Sequence, residues 1–272
     1  MQKSSSKLMK NGVITETDAL LIPTGSGLVY EVIRIIGGTP LFFDEHYARL
    51  VNSAKTRQGQ AVPNYQTFRP LTYAFLSTRS ELDYNIKILF EPDTADLYIL
   101  ESPSAYPDEA LYQNGIHTEL MPYMRQDPNS KITNNELAEL ANQLKKVSGA
   151  YEVLLVNASG FITEGSKSNL FFILDDTLIT PPLESVLPGV TRQKIIDMAK
   201  NININVIEMN IKADELHRYK GAFMSGTSPK ILPIASIGKL NLDSAKLPII
   251  LTLMQEFAAT IQSDLESYRK TK

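Results

Sequence analysis

Cysteine is absent from all 272 residues, which excludes disulfides and every metal site built on thiolates. Histidine is scarce. The three present, His46, His117 and His217, stand far apart with no carboxylate at ligand spacing, so nothing suggests a metal centre. Charge of one sign is also missing: 27 Lys and Arg against 30 Asp and Glu leave a net charge of −3, without the broad basic field that collects nucleic-acid phosphates. No apolar run is long enough to span a bilayer. The most apolar stretch near the C-terminus, Leu247 to Met254, reads as the buried start of a terminal helix. Met1 to Lys10 is basic and polar with no apolar stretch behind it, unlike a secretory signal. Gly-x-Ser-x-Gly and Walker sequences are likewise missing. The expectation is a cytoplasmic protein with no nucleic-acid or membrane partner and no metal.

What is there is the composition of a globular protein, 43% hydrophobic and 21% charged, long enough for one large domain or two smaller ones. Ser4 to Gly12 reads as a loose lead-in. Tyr30 to Ile36 alternates in strand fashion and stops at Gly37-Gly38, and Phe43 to Arg57 carries Leu50, Val51 and Ala54 at helical spacing, with Asp44 placed to cap the start. Asn85 to Phe90 and Asp96 to Glu101 are paired strand candidates. Polar and proline-rich stretches at 102–108 and 122–130 mark a connection, and the boundary is expected near Pro122. That gives a smaller N-terminal domain, 1–121, and a larger C-terminal one, 122–272, carrying Lys131. In the second half, 135–148 and 191–200 have helical periodicity, and strands are expected at 151–156, 161–163, 170–173, 178–179, 206–209 and 221–224. The pattern is α+β without long βαβ alternation.

Two segments stand out chemically: Arg125-Gln-Asp-Pro-Asn-Ser-Lys131-Ile-Thr-Asn134, and Phe161-Ile-Thr-Glu164-Gly-Ser-Lys-Ser168-Asn169-Leu-Phe-Phe. A lysine that can condense with an aldehyde and a carboxylate that can hold a proton on a pyridine nitrogen are the minimum for pyridoxal chemistry. Taken singly, each residue has a plainer reading. Lys131 is a solvated loop cation, as Lys145 and Lys146 are on their helix face, and Glu164 is a hairpin-tip carboxylate. Arg49 is a surface residue, Tyr30 a core aromatic and Lys87 a solvated strand residue.

Joined with Val29-Tyr30-Glu31-Val32, Leu41-Phe-Phe-Asp-Glu-His46-Tyr-Ala-Arg49-Leu-Val-Asn-Ser-Ala54, Thr180 to Arg192 and Met224-Ser-Gly-Thr227-Ser228-Pro, these segments resemble the class IV aminotransferases. These are the fold type IV pyridoxal phosphate enzymes, with branched-chain aminotransferases, D-amino acid transaminases and 4-amino-4-deoxychorismate lyases among them. The likeness runs from about Gly25 to Ile234 in motif order. It implies a two-domain α+β fold like that of the D-amino acid aminotransferases, pyridoxal 5′-phosphate as cofactor, a small amino substrate and a homodimer. By resemblance Lys131 is the catalytic, cofactor-linked lysine and Glu164 faces the pyridine nitrogen, with Ser168 and Asn169 supporting that region. Arg49, Val190, Thr191 and Thr227 bind the phosphate, and Ser228 adds a donor. Gly189-Val190-Thr191 at a helix start fits this, because free backbone amides there bind anions.

Within the family the motifs divide. Lys131-x-x-Asn134 and the compact length are closer to the lyases and D-amino acid transaminases than to the branched-chain form, which has a tyrosine where Glu136 stands. Thr24-Gly-Ser-Gly27 replaces the usual aromatic-x-x-Gly-Asp-Gly, and Asn85-Ile-Lys87 lacks the carboxylate-trapping arginine and histidine of the D-amino acid enzymes. Lys87 stands where the lyases carry a lysine, and Tyr30 where the D-amino acid enzymes carry a substrate-facing tyrosine. Both are therefore candidates to touch substrate. The expectation is a 4-amino-4-deoxychorismate lyase, releasing pyruvate and 4-aminobenzoate for folate synthesis. The alternatives are a class IV amino acid aminotransferase and a pyridoxal-binding protein that has lost catalysis.

Overall fold

The computed structural model describes residues 7–16, 22–103 and 105–270. The chain divides into two compact units. The first comprises Met1–Ser104, Ser130–Asn134 and Ser263–Lys272, and the second Ala105–Asn129 and Asn135–Gln262. This division differs from the single cut expected near Pro122, and it counts Lys131 with the first unit. The physical reason is main-chain pairing, since Lys131 and its neighbours hydrogen-bond along a strand of that unit.

The first unit is built on a six-stranded antiparallel sheet. Its strands are β1 (Lys7–Lys10), β2 (Val13–Glu16), β3 (Val29–Ile36), β4 (Thr39–Pro40), β5 (Tyr84–Glu91) and β6 (Asp96–Ser102), in the order β2-β1-β6-β5-β3-β4. The expected loose lead-in is in part the strand β1, because Leu8 and Met9 are buried against the sheet. Residues 4–6 lie outside the described residues. In β3 the period-two pattern buries Val29, Glu31, Ile33 and Ile35 on one face. Against that face lies α1 (Phe43–Lys55), and α2 (Tyr65–Leu76) adds Phe68 and Phe75 to the same core. Phe43 and Phe68 stack with centroids 5.7 Å apart, and each such buried ring stabilises by about 1.5–3 kcal/mol.

The start of α1 departs from the expected cap. Its N-cap is Phe42, in the left-handed region at φ 51°, whose N–H donates to Asp264 at 2.9 Å. Asp44 lies instead in the first turn, where its charge complements the helix dipole and accepts from the Tyr65 hydroxyl. Helix α2 escapes the sequence reading because Pro70 sits inside it.

The second unit carries a ten-stranded mixed sheet. Its strands are β7 (Ile116–Pro122), β8 (Glu152–Val156), β9 (Phe161–Gly165), β10 (Asn169–Leu174), β11 (Thr177–Thr180), β12 (Val206–Glu208), β13 (Ile211–Lys212), β14 (Gly221–Gly226), β15 (Lys230–Ile237) and β16 (Leu240–Asn241). Their order is β12-β11-β10-β14-β15-β7-β8-β9-β13, with β16 on β15. Its helices are α3 (Glu109–Asn114), α4 (Asn135–Ser148), α5 (Val190–Asn201) and the first part of α6 (Pro248–Lys270). The fold is α+β with two parallel crossovers, β7 to β8 through α4 and β11 to β12 through α5. On β14, Ala222 and Met224 join Leu170, Phe172, Leu232 and Ile234 in one core, while Phe223 stacks on Phe171, centroids 4.9 Å apart, on the opposite face. Among the described residues no helix is long and apolar enough to cross a membrane.

Candidate active site

In the first unit, Lys131 is fixed through its backbone. Its N–H donates to the Ser53 hydroxyl at 3.0 Å, its carbonyl accepts from Tyr30 at 3.0 Å, and Ile132 bridges to Val29 at the edge of β3. The half-buried side chain sets Nζ 4.4 Å from the centroid of the Tyr30 ring. Lys87, on β5, places its own Nζ 5.5 Å from the same centroid. Tyr30, Lys87 and Lys131 are thus gathered around one aromatic ring. The unusual Gly25-Ser-Gly27 segment belongs to the same arrangement. The Gly27 N–H donates to the Thr133 carbonyl at 2.8 Å, and the Thr133 hydroxyl donates to the Gly25 carbonyl at 2.8 Å.

One turn apart on α1, His46 and Arg49 meet Glu31 of β3 in a buried cluster. Arg49 Nε and Nη2 donate to the two carboxylate oxygens at 2.7 and 2.8 Å, and His46 Nδ1 lies 2.8 Å from Oε2. Bidentate pairing of this kind is strong and directional. Arg49 therefore stands on a carboxylate that its motif alone does not reveal. Burial pushes the Glu31 carboxyl up, but the charge and hydrogen bonds of Arg49, with the His46 bond, draw it down to about 2. Burial also lowers His46, against the pull of Glu31, so the imidazole is neutral and Nδ1–H donates.

Both shifts tie stability to pH in one direction. The unfolded chain takes up a proton on His46 below about 6.5 and on Glu31 below about 4.5, while the folded chain resists both. Stability is therefore expected to fall as pH drops below 6.5 and to keep falling from 4.5 to about 2. Urea midpoints measured across that range check this. In Glu31→Gln the slope between 4.5 and 2 should flatten, and an unchanged slope would show that other carboxylates carry it.

In the second unit Glu164 is buried at the end of β9. Arg125 Nη1 donates to Oε1 at 2.8 Å and the Leu187 amide donates to Oε2 at 3.0 Å. Glu164 is thus not a solvated hairpin tip. The turn after it is shaped by a second buried carboxylate, Glu152. This group accepts from Ser166 Oγ at 2.6 Å, Ser168 Oγ at 3.1 Å and the Val153 amide at 2.9 Å. Gly165 is required there because a Cβ would fall 2.1 Å from Ser168 Oγ. Ser168 hence supports the turn, and Asn169 supports the next element by donating from Nδ2 to the Leu187 carbonyl at 2.9 Å.

That element is α5. Val190 and Thr191 are its first two residues, both buried, and the N-cap Gly189 offers no side-chain cap. A Cβ on Gly189 would lie 1.9 Å from Asn169 Oδ1, so only glycine lets the helix start seat against Asn169. Thr227 and Ser228 are half-buried immediately after β14, where Tyr112 donates to the Pro229 carbonyl at 3.0 Å. The residues present fit pyridoxal phosphate by donor chemistry: a primary amine, a buried carboxylate, an arginine, and an uncapped helix start with a glycine cradle. Among the described residues no group of His, Cys, Asp and Glu could hold a metal ion.

Sequence reasoning missed Arg125, although its segment was singled out. It also missed Glu152, which carries no motif signal, and the part played by Glu31 and His46, which lie inside recognised runs.

The sequence model of the family Amino-transferase class IV matches residues 28–237. A curated relative, the "Probable branched-chain-amino-acid aminotransferase" of Thermotoga maritima, is 29% identical over 240 residues, covering 85% of each chain. Among solved structures, a T.th. branched-chain amino acid aminotransferase with pyridoxamine 5′-phosphate superposes with a TM-score of 0.85 at 21% identity, covering 99% of this chain and 98% of that one. A Legionella pneumophila structure described as "Putative 4-amino-4-deoxychorismate lyase" gives 0.78 at 20% identity, covering 88% and 96%. At these identities the two structures bear on the fold alone.

Proposed function

The chain belongs to the class IV aminotransferases, and from that premise we propose that it is a pyridoxal phosphate-dependent aminotransferase acting on an apolar, branched-chain type of amino acid. The observation that carries this reading is the similarity to the Thermotoga maritima relative over 85% of both chains. The sequence motifs alone favoured the lyase, because Lys131-x-x-Asn134 and the compact length weighed more than the chain as a whole. The comparisons support the aminotransferase better.

When bound, pyridoxal phosphate supplies the electron sink that lets an α-carbon proton leave. In this reading Lys131 Nζ takes that proton from the substrate α carbon and returns it as a general acid. Glu164 holds a proton at the pyridine nitrogen, with Arg125 and the Leu187 amide fixing its carboxylate. The Val190 and Thr191 amides, the Thr227 and Ser228 side chains and Arg49 bind the phosphate. Glu31 sets the angle of Arg49, and Tyr30 orients the Lys131 amine.

A lyase acting on 4-amino-4-deoxychorismate is the second reading, favoured by Lys87. A second ammonium beside Tyr30 suits a substrate with more than one carboxylate. The test is to mix the cofactor-loaded protein with L-valine, L-leucine, L-isoleucine, L-glutamate or D-alanine plus a keto acid acceptor, and separately with aminodeoxychorismate. Branched-chain keto acids are the expected products. Release of 4-aminobenzoate and pyruvate instead would transfer the assignment to the lyase, and inertness toward every amine would remove both.

A further inference from the structure

Ser225 is the least explained polar residue near the start of α5. It is 1% exposed, yet its hydroxyl makes no hydrogen bond among the described residues. A buried hydroxyl in that state carries a desolvation penalty with no return, and such groups in folded proteins commonly meet a water or a ligand.

Its place on the strand says where the hydroxyl stands. Along β14, Ala222 and Met224 face one core and Phe223 the opposite face, so alternation puts Ser225 on the face of Phe223. In register, Ser225 is directly opposite Asn169 of β10. Asn169 is the residue whose amide holds the Leu187 carbonyl and whose Oδ1 occupies the space a Cβ on Gly189 would need. Helix α5 packs against β14. An unpartnered, buried hydroxyl therefore stands next to the uncapped N-terminus of a twelve-residue helix. There the Val190 and Thr191 amides already favour an anion.

We infer that Ser225 is a further binding residue, its hydroxyl donating to the phosphate of the cofactor at the α5 N-terminus. This rests on the reading that the chain binds pyridoxal phosphate there. The hydroxyl complements the backbone amides, which approach the anion along the helix axis, with a donor from the sheet beneath.

The test is Ser225→Ala and the volume-conserving Ser225→Cys, each titrated as full-length protein with pyridoxal phosphate and with unphosphorylated pyridoxal. The melting temperature of the cofactor-free protein is measured alongside. Expected is an about tenfold rise in Kd for pyridoxal phosphate, no change for pyridoxal, and an unchanged or higher melting temperature, since the variants shed an unsatisfied group. A pyridoxal phosphate Kd within about twofold of wild type overturns the inference, whatever the melting temperature. So does an equal loss for both compounds together with a lower melting temperature, which marks the hydroxyl as structural. Wild-type protein that binds no pyridoxal phosphate overturns the functional reading itself, an outcome distinct from a wild type that binds and variants that bind equally well.

Discussion

Lys131→Ala is expected to lower kcat by at least about a thousandfold while leaving the fold intact. A positioned general base contributes about 10²–10⁴ to a proton transfer, and under the proposed function the same amine is also the cofactor's covalent anchor. The interactions that hold this segment are main-chain ones: Lys131 N–H to Ser53, Tyr30 N–H to the Lys131 carbonyl, and Ile132 across to Val29. All survive truncation of the side chain. What the fold loses is the contact of Nζ with the Tyr30 ring, worth about 0.5–1 kcal/mol at a partly exposed site. Turnover at saturating cofactor, set beside the melting temperature, separates the two effects. An alanine variant with wild-type turnover would end the assignment of Lys131, and one that has lost both turnover and fold would mean the side chain is structural.

Glu164→Gln should cost about a hundredfold in kcat, the size typical of removing one fixed electrostatic partner from a site. Glutamine keeps the volume and can still accept from the Leu187 amide, but it has no charge with which to hold a proton on a pyridine nitrogen. It also deprives Arg125 of its carboxylate, and removing one partner of a buried pair destabilises by about 3–5 kcal/mol where no other group compensates. The double variant Arg125→Met/Glu164→Gln discriminates between these effects. It should recover stability relative to Glu164→Gln alone without recovering turnover. If turnover returns with stability, the glutamate acts only through packing.

Much of this was legible from residue order. The helix expected at Asn135 to Ser148 is α4 with those bounds, and the strands at 85–90 and 96–101 are β5 and β6. These elements announce themselves because their hydrogen bonds and apolar periods are local, and because Gly or Pro stands near their ends. Helix α2 did not, since Pro70 reads as a break unless neighbouring aromatic packing outweighs the lost bond. Nor did β1, whose Leu8 and Met9 look like part of a polar lead-in until β6 pairs with them.

By itself the sequence determined the family and the helix start with its glycine, and it nominated the amine and the carboxylate that the proposed function uses, since each is a local motif kept in a fixed order. It placed the lyase ahead of the aminotransferase because short motifs were weighed singly. Only the tertiary structure decided where those groups stand and what holds them. Lys131 belongs to the first unit because Leu28 and Thr133, 105 residues apart, share hydrogen bonds. Glu164 is held by Arg125, 39 residues away, Arg49 lies on Glu31, and the Ser225 hydroxyl is left without a partner among the described residues. None of these has a signature in the chain order, because a hydrogen bond between distant residues depends on strand register and helix placement. Those are fixed by burial of the whole core rather than by the residues that bond.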